Sequence, residues 1–335
     1  MVVLFGTMLF LLNVVWHPFE PRYQGRRLSA WAKDVSTWEN GDYSSEQERQ
    51  EALANRDKAI EAIRHIGIRA LPLALKYCSR EDSRLKARLI DFANEQKTVY
   101  LHLLRDTDYQ QVGVRIFEAL GPAAKSAIPS LIRLLRKKDN GVCNAAIGAL
   151  YSIGPDAIPL LTEALADPND RVRLGAVISL GGFQNRAREA IPQLIRCLAD
   201  ENPRVRSAAV MALPYMDGDP AIVVHALIPR LKDEDPIVRE ASAIGLGHIH
   251  VDAERAVPAL IACIEAETNG PVRSPLMVAA LGRFGTNAKP WAPVLVKWIE
   301  SNRFGVFSGS ALNALSRIDP ESAKPLIEKR KMGTP

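Results

Sequence analysis

What most constrains this chain is that it copies itself. Between residues 98 and 325 a block of about 33 residues recurs, and a block of that size cannot hide its own apolar stripe, so the copies have to lean on one another in a row. Stacking the copies puts Pro129, Pro159, Pro192 and Pro258 in one column, the last gap covering two periods. In the skipped copy the proline has moved to Pro229, and the closing copy carries Pro293.

Each copy reads as two helices. Ile191, Leu194, Ile195 and Leu198 keep helical spacing, with Pro192 near the start, where a missing N–H costs nothing. Asp200-Glu201-Asn202-Pro203 then breaks the pattern, and Val205, Ala209, Val210 and Leu213 resume it on a second helix. No alternating strand pattern is evident. The predicted fold is all-α, a right-handed α-α superhelix of about eight or nine helix pairs over residues 28–332, its second helices lining a shallow concave groove.

The recurring pattern A-I-P-x-L-x-x-x-L-x-D-x-x-x-x-V-R-x-x-A-x-x-A-L-x-x-I-G resembles the bacterial HEAT repeat, in the branch called PBS-lyase HEAT-like. The resemblance covers residues 98–325 clearly and the divergent stretch 46–97 more faintly, and it implies an armadillo-like HEAT-repeat solenoid. Tyr23, Gly25, Arg27, Leu28, Ser29 and Trp31 are similar to the Y-x-G-K/R-x-L-S-x-W box that follows the N-terminal anchor of bacterial HEAT-repeat proteins of planctomycete and verrucomicrobial type. That second resemblance implies a membrane-tethered or exported scaffold with no assigned reaction.

Residues 1–17 fit the anchor. Met1 to Trp16 hold no charge, although the run is at the short end of the roughly 17 to 25 residues that span a bilayer. It lacks a basic leading region and a small-residue cleavage site, which favours an uncleaved hydrophobic helix over a signal peptide. Arg22, Arg26, Arg27 and Lys33 follow it, which taken literally puts the body in the cytoplasm, yet a different start would reverse this, so the side stays open. Residues 18–45 read as a linker and capping helix. Pro18 and Pro21 stiffen the spacer, Ser29 caps the helix, and Asn40-Gly41-Asp42 ends it. Trp31, Val35 and Trp38 on one face seal the first repeat, with a lipid-interface aromatic belt as the rival reading. Residues 326–335 form a C-terminal tail.

Composition narrows the chemistry. The net charge of +5 comes from 43 basic and 38 acidic residues, evenly mixed, so a nucleic-acid partner is not expected. Cys78, Cys143, Cys197 and Cys263 are too scattered for a disulfide framework or a metal cluster; Cys197 and Cys263 read as core thiols, and Cys143 as the more accessible one. His248 and His250, two apart, point to different faces of a helix and share no metal. The His-Glu pairs that hold iron in the HEAT-repeat deoxyhypusine hydroxylases are missing, as are the G-x-S-x-G, Walker and G-x-G-x-x-G motifs. No cofactor or metal is expected.

Four copies set an acid six residues before an arginine: Asp167 and Arg173, Asp200 and Arg206, Asp233 and Arg239, Glu267 and Arg273. These read as a structural ladder that orders the turns and locks copy to copy, broken at Lys137 and Cys143 and at Ser301 and Phe307. Arg133, Arg136, Lys137 and Lys138 form the densest basic cluster, a candidate partner or lipid contact. Trp291 and Trp298, with Phe304 and Phe307, either finish the core or bind a partner. The function expected is a non-catalytic, monomeric, membrane-associated scaffold that holds a protein or peptide on its concave face. The alternatives are a HEAT-like enzyme or enzyme subunit of the phycobilin-lyase kind, and a nucleic-acid-binding solenoid.

Overall fold

The computed structural model describes residues 20–37, 43, 45–81, 106–266, 275–301 and 308–331. The anchor-like run, Trp38, Asn40-Gly41-Asp42, Glu267, Arg273, Phe304 and Phe307 lie outside them. The fold is all-α: apart from two strands of two residues each, every regular element among the described residues is helical. Two compact units divide the chain, Met1–Ser179 and Leu180–Pro335.

The first unit opens on a ribbon. Strands β1 (Arg22–Tyr23) and β2 (Arg26–Arg27) pair antiparallel around Gln24 and Gly25, both at positive φ, 50° and 76°. Two left-handed residues in a two-residue loop match the twist of a hairpin, and glycine takes that conformation without strain. This corrects the expectation of a plain stiff spacer. Helix α1 (Leu28–Thr37) follows, and its N-terminus is capped by Glu20, whose carboxylate accepts the N–H of Ser29. The Ser29 side chain is therefore not the cap; the acid reaches back from before the ribbon, where it also meets the positive end of the helix dipole. Leu28, Ala32 and Val35 are buried, and α1 packs on α2 (Glu46–Ile66) and α4 (Asp106–Leu120). Between those two lies α3 (Leu71–Cys78).

Helix pairs then repeat with little variation: α5 (Ile128–Leu134) with α6 (Asn140–Ile153), and α7 (Ile158–Ala164) with α8 (Asp170–Phe183). The unit boundary falls inside α8. The second unit continues with α9 (Ile191–Cys197) and α10 (Pro203–Ala212), α11 (Pro220–Leu227) and α12 (Pro236–Ile249), α13 (Ala253–Ala266) and α14 (Pro275–Arg283), then α15 (Ala292–Glu300), α16 (Ser308–Ile318) and α17 (Pro320–Lys331).

α5, α7 and α9 are short because they are entered through 3-10 segments, as at Gly121–Ala127 and Gln184–Ala190, and Pro129, Pro159 and Pro192 stand in the first turn that follows. Pro258 departs from its column. It lies inside α13, because that helix starts at Ala253 with no 3-10 entry and runs through the proline. Leu194, Cys197 and Leu198 on and just after α9 and Val205, Ala209, Val210 and Leu213 in and after α10 are buried, so the two stripes face one core. Cys78 in the first unit and Cys197 and Cys263 in the second are buried, and burial pushes the Cys78 thiol up to about 12.

Second helices approach closely because small residues meet. A Cβ added to Gly247 on α12 would lie 2.7 Å from the Ala280 Cα on α14, and one on Gly282 would lie 2.8 Å from the Ala314 Cα on α16. Among the described residues no helix is long and apolar enough to cross a membrane.

Candidate functional site

The turn between the two helices of a repeat is built by two carboxylate or amide side chains in series. Asp200 Oδ1 accepts the N–H of Asn202 at 2.9 Å, and Asn202 Oδ1 in turn accepts the N–H of Arg204 at 2.9 Å as the cap of α10. The same relay runs through Asp167 and Asn169, and through Asp233 and Asp235. Short acceptors that bond the backbone two residues on are what breaks one helix and starts the next.

The described ladder arginines Arg173, Arg206 and Arg239 turn back over that loop. Arg206 Nη1 donates to the Asp200 and Glu201 carbonyls at 2.8 and 3.3 Å, Arg173 Nη1 to those of Asp167 and Pro168 at 2.9 and 3.2 Å, and Arg239 Nη1 to those of Asp233 and Glu234 at 2.7 and 3.0 Å. Within a repeat the arginine thus satisfies turn carbonyls, not the carboxylate six residues before it. For Arg206 the carboxylate partner comes from the next repeat. Arg206 grips Asp233 with two donors, Nε to Oδ2 at 3.0 Å and Nη2 to Oδ1 at 2.7 Å, and reaches Glu234 at 3.2 Å. The paired side chains are only 7% and 4% exposed. Burial pushes the Asp233 carboxyl upward, but the Arg206 hydrogen bonds, the Asp235 N–H and the charges of Arg206 and Arg230 outweigh it and leave the group below its ordinary value. Glu267 and Arg273 lie outside the described residues.

At Lys137 and Cys143 a thiol does part of the same work. Cys143 Sγ contacts the Lys137 carbonyl at 3.2 Å, the carbonyl equivalent to the one each ladder arginine takes. A thiol cannot also reach the next repeat, and Arg136 supplies that link through Nη2 to Asp167 Oδ2 at 2.6 Å. Cys143 is half-buried, and burial raises its thiol above the ordinary value. The basic cluster is accordingly partly engaged. Arg136 holds Asp167, Lys137 pairs with Glu81 at 3.1 Å, and Arg133 donates to Ser130; Lys138 is exposed. Trp298 is buried and Trp291 half-buried, so Trp298 belongs to the core and not to a contact surface. Trp31 is also committed. Its Nε1 donates to the Tyr23 carbonyl at 3.3 Å and Arg26 covers its ring at 4.4 Å, which holds the half-buried side chain against the ribbon.

The surface with the character of a binding site is one that none of these residues marked. In the second unit the exposed face of α10, the 3-10 turn after it and α12 carries Met211 and Tyr215, 42% and 43% exposed, beside half-buried Ile244 and His248. Met211 and Ile244 occupy one slot a period apart, and Tyr215 and His248 the slot one helical turn on. The Tyr215 and His248 rings meet at 4.4 Å, inclined by 47°, as a joint platform across neighbouring repeats. Leu276 on α14, also exposed, extends the apolar character. The signal lay in the repeat columns: an apolar side chain recurring where the helix is solvated, which periodicity taken one copy at a time does not separate from core.

The chain was compared with known proteins. The family model described as HEAT repeats matches residues 98–181, 158–222 and 191–276, together more than half of the sequence. No curated protein matches in sequence. Among solved structures, the karyopherin Kap121p bound to the extreme C-terminus of the protein phosphatase Cdc14p is similar with a TM-score of 0.54 and 16% identity, over 89% of this chain and 34% of the karyopherin. Kap121p bound to Pho4p is similar with a TM-score of 0.51 and 14% identity, over 97% and 36% of the two chains. The chain spans about a third of the karyopherin's length, and at such identity the likeness is one of fold.

Proposed function

Because the chain belongs to the HEAT-repeat family, we propose that it is a non-catalytic, monomeric scaffold that holds a segment of another protein on the exposed face of its second helices. In this reading that face is the concave one, and residues 1–17 tether the body to a membrane. The observation that carries it is the Met211, Tyr215, Ile244 and His248 surface. Solvent-exposed apolar and aromatic side chains set in register across repeats offer an extended partner the same anchor point at each step, and aromatic anchors dominate binding energy where partners are truncated. The karyopherin of similar fold is seen bound to the extreme C-terminus of Cdc14p and to Pho4p, which is consistent with the use proposed here.

The test is a peptide library screened against the full chain, with the best binder measured against Tyr215→Ser and Met211→Ser. Each substitution is expected to weaken binding at least about tenfold while leaving helicity and Tm unchanged. Equal affinity in both variants would remove this surface from the function. A reporter fused to the C-terminus and a light-scattering mass address the tether and the oligomeric state.

A further inference from the structure

The ribbon before α1 has two faces with opposite fates. Tyr23 and Arg26 pair across it and point toward the body, where Tyr23 stacks on His65 of α2 with centroids 4.9 Å apart and Arg26 lies on Trp31 and pairs with Asp34 at 2.6 Å. Arg22 and Arg27 form the other cross-strand pair and, by the two-residue period of a strand, stand on the opposite face, both exposed. Like charges directly opposite one another on a ribbon repel. Arg22 Nη1 reaches the Gly25 carbonyl at 3.5 Å, and among the described residues neither arginine is met by a carboxylate. The inner face locks the ribbon to the helices, so these two charges cannot swing apart by moving the backbone.

Their position is fixed as well. The Pro21 carbonyl accepts the N–H of Leu28 at 2.9 Å and Glu20 caps α1, so the point at which residues 1–19 join the body is tied down beside the arginine pair. From Trp16, the last residue of the uncharged run, to Arg22 is a stretch of six residues that reaches at most about 20 Å. We propose that Arg22 and Arg27 together bind the phosphates of anionic phospholipid headgroups, holding the first unit against the membrane surface. The guanidinium fork suits phosphate oxygens, and an anion between the two side chains turns their repulsion into attraction. The proposal rests on the membrane-tether reading above.

The test titrates the full-length protein with neutral phosphatidylcholine vesicles and with vesicles containing about a third phosphatidylglycerol, and compares wild type with Arg22→Gln/Arg27→Gln. A Lys125→Gln/Lys232→Gln variant, both side chains exposed, controls for the same loss of charge elsewhere. Two basic side chains at a charged surface should tighten binding to the anionic vesicles by roughly tenfold or more at low salt. The expected result is that this preference disappears in the arginine variant and persists in the lysine control. A preference unchanged in the arginine variant, or lost equally in the control, overturns the headgroup contact while binding to neutral vesicles still upholds the tether. Binding to anionic vesicles alone, abolished in the arginine variant, supports the contact and counts against the tether. No binding to either vesicle sinks both.

Discussion

In the first unit the helix ends at 67, 121 and 154 are turned by glycine, at φ of 63°, 53° and 96°. In the second, the equivalent turns at 184, 217 and 250 are made by Gln184, Asp217 and His250, at φ of 52°, 51° and 43°, and glycine returns only at 285, at φ of 55°. A side chain in the left-handed region strains the backbone by about 1 to 2 kcal/mol, and glycine escapes it. The first unit is built for easy stops. The second keeps strained ones, and two of them directly follow the helix ends that carry Tyr215 and His248. Strain kept near an exposed surface is a feature of functional sites, where holding a side chain in place outweighs the lost stability.

The joints between repeats differ in the same way. Arg206 and Asp233 form a buried clamp, whereas Arg136 and Asp167 pair with Arg136 still 48% exposed. The largest effect should therefore come from Arg206→Ala, which strands a buried carboxylate and costs about 3 to 5 kcal/mol in denaturant unfolding. Its pH signature has a definite sign. Because Asp233 titrates below its ordinary 3.8, the clamp is complete above that value and is lost as the pH falls further. Wild type minus Asp233→Asn stability should thus be flat from neutral pH to near that point and shrink below it. A difference that instead grew in acid would show the clamp to be absent.

Close packing gives the next contrast. Gly247→Ala must push the Ala280 backbone away and should cost about 1 to 3 kcal/mol. Gly148→Ala in the first unit meets only the two Val114 methyls, at 3.3 and 3.6 Å, so the helix preference for alanine, worth up to about 1 kcal/mol, should cancel or exceed the crowding. The helix stops themselves should respond in opposite directions. Gly154→Ala should lose about 1 to 3 kcal/mol, since φ of 96° with ψ of −160° is essentially a glycine conformation, and Asp217→Gly or His250→Gly should gain up to about 1 kcal/mol. If the strain serves binding, the two glycine variants will be more stable and weaker for the selected peptide; unchanged affinity would mean that the strain is only tolerated. Smallest of all is Arg136→Gln, expected to cost less than about 1 kcal/mol because its charge is largely in water.

Much of this was legible in the sequence, and the reasons for what was not are local. The period, the first-turn prolines at Pro129, Pro159 and Pro192, and the buried stripes of α9 and α10 follow from spacing alone. Spacing also picks out Asp200, Arg206 and Asp233, but it cannot say that Arg206 takes carbonyls in its own repeat and a carboxylate in the next, since that depends on how the copies stack. The ribbon escaped because two-residue strands carry no alternation, and its turn residues Gln24 and Gly25 were overshadowed by Pro18 and Pro21. Tyr215 and His248 were hidden in plain view: an aromatic in an apolar-rich helix reads as core until the neighbouring copy shows which way the slot faces.

The glycine-to-alanine contacts have one more consequence. In the second unit, α12, α14 and α16 meet backbone against small side chain, so that row has no slack to compress and little to stretch. It behaves as the bound spine of a book, with the first helices as the free edges of its pages. Any breathing of this unit to admit or release a partner should therefore open those edges while the spine keeps its pitch, and hydrogen exchange should be fastest in the short first helices and slowest where Gly247 and Gly282 press on Ala280 and Ala314.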